Sequence, residues 1–88
     1  MANVNILKNI ENLVMSKRNL FQIKSEVYEG IIKVDSYVFK DLKIEFYYCD
    51  ERLRHVVIKS QDLNITISED TTKSVDEVIS YLKQKLES

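Results

Sequence analysis

Cys49 and His55 are the side chains with the most reactive chemistry open to them, and the chain has one cysteine and one histidine. A thiol becomes a strong nucleophile when an imidazole within hydrogen-bond reach takes its proton. The two residues flank a charged segment, Asp50-Glu51-Arg52, that reads as a three- to five-residue hairpin loop, so they are expected as neighbours across a hairpin. Nucleophilic catalysis also needs donors aimed at a developing oxyanion and a cleft that excludes water. A strand-rich chain with a single glycine offers no evident source of either. Cys49 is therefore expected to be a free thiol and His55 a strand residue, with no catalytic residue and no enzyme activity.

Two carboxylate pairs, Asp50 with Glu51 and Glu69 with Asp70, are adjacent in sequence. General acid–base work requires a shifted pKa inside a pocket. In predicted loops both pairs read as solvated charge. One cysteine and one histidine do not make a zinc site unless carboxylates supply the other ligands. Calcium-loop spacing and glycine-rich phosphate loops are missing from the sequence. No metal and no cofactor is implied.

Binding chemistry is better represented. Lys40, Lys43, Arg52, Arg54 and Lys59, with His55, are interleaved with Tyr47 and Tyr48 along a predicted hairpin over 40–59. Cations for phosphates and rings for bases are what a nucleic-acid-binding sheet presents. Glu45, Asp50 and Glu51 interrupt the run, and no glycine–aromatic RNA-binding signature accompanies it. Nucleic acid is therefore the alternative partner, not the leading one.

A second surface follows from strand alternation. If helices cover the face carrying Ile44, Phe46, Val56, Ile58, Leu63, Ile65 and Ile67, then Tyr47, Cys49, His55 and Val57 point the other way. By the same logic Leu20 and Tyr28 point outward while Phe21, Ile23 and Val27 point in. Along 31–39 two sets compete, Ile32, Val34 and Val38 against Ile31, Tyr37 and Phe39, and one of them must be outside. Tyrosines with a few apolar neighbours on an open face have the composition of a protein interface. The expected partner-binding residues are Tyr28, Tyr47, His55 and Val57. Asp50 and Glu51, and also Glu69 and Asp70, are acidic residues available to face a basic groove.

The elements that position these residues fit in one domain spanning 1–88. The chain has 88 residues, 31% charged and 44% hydrophobic, with a net charge of −1 and a pI of 5.8. Near-zero charge gives no bulk field for polyanions. A chain this short buries only about 60–65% of its unfolded surface, so the core is thin and a partner or a second copy adds stability. No apolar run is long enough for a membrane helix, and the first residues lack a basic stretch followed by an apolar one. With one cysteine, these features predict a cytoplasmic protein that does not contact membranes. Residues with A/T-rich codons (Phe, Tyr, Met, Ile, Asn, Lys) number 36 against 5 with G/C-rich codons (Gly, Ala, Arg, Pro). That bias, with the small size, suits a phage or mobile-element gene.

The periodicity predicts the order helix, four or five strands, helix. Ile6, Ile10, Leu13 and Val14 mark a helix over 4–18, capped by Asn3 or Asn5, with Lys17 and Arg18 in its last turn. Period-two runs follow near 21–27, 31–39, 42–49, 54–60 and 63–68, with a tight reversal at Glu29-Gly30. Ser74-Val75-Asp76-Glu77 is a capping box ahead of a helix over 75–87, whose apolar face is Val75, Val78, Ile79, Leu82 and Leu86. Short connections predict a meander, and both helices on one face make a two-layer α+β domain of order α-β-β-β-β-β-α. The expected function is a small protein-interaction domain, a regulator or inhibitor acting by surface occlusion (of the anti-defence type if phage-borne), with a homodimer through the sheet or an edge strand as one form of partner.

Overall fold

The computed structural model describes residues 3–68 and 76–87. Helix α1 is Asn3–Ser16, and helix α2 is Asp76–Glu87. Between them run β1 (Gln22–Tyr28), β2 (Ile32–Phe39), β3 (Leu42–Cys49), β4 (Arg52–Lys59) and β5 (Asn64–Ser68). The strands pair in chain order, each pair antiparallel, so the sheet is the expected five-stranded meander.

Alternation decides which side of the sheet meets the helices. Leu42, Ile44 and Phe46 of β3, Val56 and Ile58 of β4 and Ile67 of β5 are buried on one face. Leu7, Ile10 and Val14 of α1 and Val78, Leu82 and Leu86 of α2 close on them in a single core. Both triplets follow the three- and four-residue spacing that aligns side chains along a helix. Leu7 thus belongs to the buried stripe of α1, which the spacing of Ile6, Ile10, Leu13 and Val14 did not include. The two competing sets on β2 resolve by pairing. Tyr37 lies opposite Ile44 and Phe39 opposite Leu42, so they face the helices. Tyr37 meets Phe46 and Phe21 edge-on, with centroids 5.4 and 5.6 Å apart. Ile32, Val34 and Val38 take the other face, while Ile31 lies outside the strand and is 56% exposed.

Several expectations need correction. Helix α1 stops at Ser16, and a 3-10 turn over Arg18–Leu20 follows, so Lys17 and Arg18 do not occupy its last turn. The tightening is visible in Lys17 N–H donating to Val14 O at 3.0 Å and Leu20 N–H to Lys17 O at 2.9 Å. Asn3 and Asn5 both lie within α1, so neither precedes it as a cap. The β3–β4 connection is two residues, not three to five, because Cys49 pairs directly with Arg52. Asp50 and Glu51 both take positive φ, 54° and 65°. That pair of conformations gives the turn the hand of twist that joins two strands closely, here without glycine. At the β1–β2 reversal Glu29 and Gly30 do the same at 54° and 78°.

A bulge in β4 was not foreseen either. His55 lies opposite Tyr47 and Leu53 opposite Tyr48, which leaves Arg54 as the extra residue. One inserted residue reverses the alternation. Leu53 and Tyr48 therefore pack against the core, while Tyr47 and His55 point away from it. The capping box at Ser74 and the connection over 69–73 fall outside the described residues.

Candidate functional site

The helices cover one face of the sheet, and the register lays out the other as cross-strand rows. Glu26, Val34, Tyr47, His55 and Ser68 form the central row. Lys24, Ser36, Glu45, Val57 and Thr66 form the row on one side of it. Tyr28, Ile32 and Cys49 lie on the other side. Facing pairs of this kind are the units through which a sheet surface is stabilised and read.

Tyr47 and His55 make the tightest contact on this face. Their rings stack with centroids 4.5 Å apart and planes 19° from parallel. The regular register from Ile58 to His55 makes this pairing, and the bulge at Arg54 changes only the face of the residues between it and the turn, so that Leu53 meets Tyr48. Burial lowers the His55 pKa, since a half-buried imidazole loses hydration that its charged form needs. The ring is thus held neutral at neutral pH. Beside the stack, Val34 is 5% exposed yet lies outside the helix-packed core. Its neighbours in register are Glu26 and Tyr47, with Tyr28 and Cys49 one step along. The Tyr28 hydroxyl donates to Glu26 Oε1 at 2.9 Å, and this bond raises the phenol pKa by favouring the protonated form. Two tyrosines, an imidazole and a carboxylate thus stand around a buried valine.

Of the expected partner-binding residues, Tyr28, Tyr47, His55 and Val57 therefore share this face. Asp50 and Glu51 do not lie in these rows; they form the β3–β4 turn at its end. Glu69 and Asp70 lie outside the described residues. Cys49 is a partly exposed free thiol opposite Arg52, while the His55 ring is engaged with Tyr47.

The basic residues are divided. Lys40, in the β2–β3 turn, and Lys43 and Lys59, which pair across β3 and β4, lie at one end of the hairpin. Arg52 and Arg54 lie at the other, about 20 Å away at the usual rise per strand residue. Lys43 and Lys59 both reach Glu45, at 3.6 and 4.0 Å, so a carboxylate sits between them. The geometry does not gather these cations into one patch.

Two polar clusters on the helix side escaped sequence reasoning. Tyr48 donates its hydroxyl to Glu11 Oε2, and Lys8 stands 3.6 Å from Glu11 Oε1. Burial first, then the carboxylate, raises the Tyr48 pKa far above the ordinary phenol range. A groove of about 400 Å³ runs beside this pair, between α1 and the β3–β4 turn. Asp35, 7% exposed, accepts from Ser25 Oγ at 2.7 Å and lies 3.7 Å from Lys33 Nζ. The first joins a helix to a strand far along the chain, and the second depends on the register of the β1–β2 hairpin, which places Ser25 opposite Asp35. Among the described residues no three His, Cys, Asp or Glu side chains are grouped to hold a metal ion, and no helix is long and apolar enough to cross a membrane. No protein-family model, curated protein or solved structure matches this chain.

Proposed function

We propose that this chain is a protein-interaction domain, a regulator or inhibitor that acts by covering part of a partner's surface, and that the helix-free face of the sheet makes the contact. The observation that carries the reading is the Tyr47–His55 stack beside Val34, with Tyr28 and Val57 flanking it, on a face that no helix covers. Rigid aromatic side chains held over a buried valine suit a partner's pocket at little cost in conformational entropy. The strands beneath hold the face in fixed register, so it needs little ordering on binding. The small-size and codon-bias argument for a phage or mobile-element origin belongs to the same proposal.

The test is capture of a partner by tagged protein from the source cells, with and without nuclease, using three variants. Tyr47→Ala and Val57→Glu are expected to lose a nuclease-resistant protein partner by at least tenfold in recovery. Arg52→Ala combined with Arg54→Ala is expected to retain it. The reverse pattern, with recovery only of nuclease-sensitive material and loss with the arginines, would replace this reading with nucleic-acid binding. In that case log affinity would also fall linearly with log salt.

A further inference from the structure

We propose that two copies of this chain pair through β1, antiparallel and in one register, so that the two sheets become one continuous sheet. Among the described residues strand β1 is an edge, bonded to β2 alone. Alternate N–H and C=O groups of an edge strand face outward and are open to another strand. Natural edges are commonly blocked by proline, a bulge or an inward-pointing charge. Over Gln22–Tyr28 there is no proline, the pairing with β2 runs without a register shift, and the residues on the helix side are Ile23, Ser25 and Val27. All seven residues of β1 are exposed, Ile23 at 49% and Val27 at 64%.

Charge selects a second copy as the occupant, and it selects the register. In a two-fold antiparallel pair the same strand faces itself, so the pairing is defined by the residue on the axis. The axis must leave helix-side residues opposite helix-side residues, or every side chain changes face. With Lys24 on the axis, two lysines meet; with Glu26 on the axis, two glutamates meet. With Ser25 on the axis, Lys24 lies opposite the partner's Glu26 and Glu26 opposite the partner's Lys24. On the helix side Ile23 meets the partner's Val27, and the reverse. The outermost pair is Gln22 with the partner's Tyr28. This register uses the whole length of β1 and places no like charges opposite one another.

The surroundings agree. Met15, Val27 and Ile31 line an open groove of about 430 Å³ on the helix side of the edge. Met15 and Ile31 are 40% and 56% exposed. The pairing brings the partner's Ile23 toward that groove at each end of the contact. It also joins the two helix-free faces edge to edge, but it does not depend on what those faces bind.

The experiment is sedimentation equilibrium of the full chain at 5–200 µM and low salt, the loading range being of the order needed for a micromolar dimer. The wild type is expected to dimerise. Lys24→Glu and Glu26→Lys, each placing like charges opposite one another twice, are expected to weaken the dimer at least tenfold. The double variant Lys24→Glu with Glu26→Lys restores opposite charges and is expected to recover the wild-type association. These positions are exposed, and circular dichroism checks that each variant is folded. A wild type that stays monomeric throughout the range would overturn the proposal. So would a dimer indifferent to the single exchanges, or one the double variant fails to restore. Loss of partner capture by Tyr47→Ala with the dimer intact separates this result from that of the face itself.

Discussion

His55 carries a pH dependence whose sign is set by its surroundings. Its pKa is lowered in the folded protein because burial penalises the imidazolium. An unfolded chain has the ordinary value of 6.5. Above pH 6.5 the ring is neutral in both states, and the contribution to stability is whole. As pH falls below that value the unfolded chain takes up a proton first, and stability declines until the folded ring also protonates. Denaturation midpoints at pH 7, 6 and 5 should therefore fall steadily for the wild type. For His55→Phe, which keeps a ring against Tyr47, the fall over this interval should be clearly shallower. An equal slope in both proteins would mean that His55 is not the group responsible. The position of His55 beside Tyr47 was legible from alternation in both strands. The Tyr48–Glu11 bond was not, because its partners belong to a strand and a helix whose relative placement only the packed core decides.

At the scale of elements, the turns hold what the sequence concealed. Glycine is the usual sign of a two-residue hairpin, and Asp50-Glu51 lacks it, so the β3–β4 loop reads as longer than it is. A left-handed residue with a Cβ costs about 1–2 kcal/mol. Glycine escapes that cost but gives up about 0.5–1 kcal/mol through the greater freedom of its unfolded chain. Glu51, at φ 65°, is therefore a place where glycine should help. Glu51→Gly is expected to raise the free energy of unfolding by about 0.5–1 kcal/mol in urea titration. Gly30→Ala is the matched opposite. Nothing lies within 4 Å of the Cβ it would add, so its expected loss of about 1 kcal/mol comes from the φ of 78° alone. A destabilised Glu51→Gly would mean that the carboxylate, beside Lys8 and Arg52 in the adjoining groove, matters more than the backbone. The same turn is followed by the bulge at Arg54, which sets the face on which Leu53 appears.

For the whole molecule, one side of the sheet packs against both helices, and the other carries the face proposed above for contact. The period-two runs and the two helical stripes made the meander legible in the sequence, whereas the covered face followed only on a condition for β3 to β5 and stayed divided between two sets on β2. The limit of the helices was not readable: Ile23 and Val27 point toward the helix side as expected but remain exposed, because nothing in a strand's own pattern tells how far a helix will reach. This division makes stability and binding separable. A domain of 88 residues has roughly 4–13 kcal/mol of stability at the usual value per residue. Leu82 is fully buried where α2 meets the core, and a buried leucine cut to alanine costs about 2–5 kcal/mol. Leu82→Ala should thus remove a large share of the total and lower the thermal midpoint by about 8 °C or more, at about 4–8 °C per kcal/mol. Tyr47→Ala, half-buried on the open face, should cost about 1 kcal/mol and still abolish partner capture. If instead Leu82→Ala were mild and Tyr47→Ala unfolded the chain, the open face would be part of the folding core and the division between the two sides of the sheet would not hold.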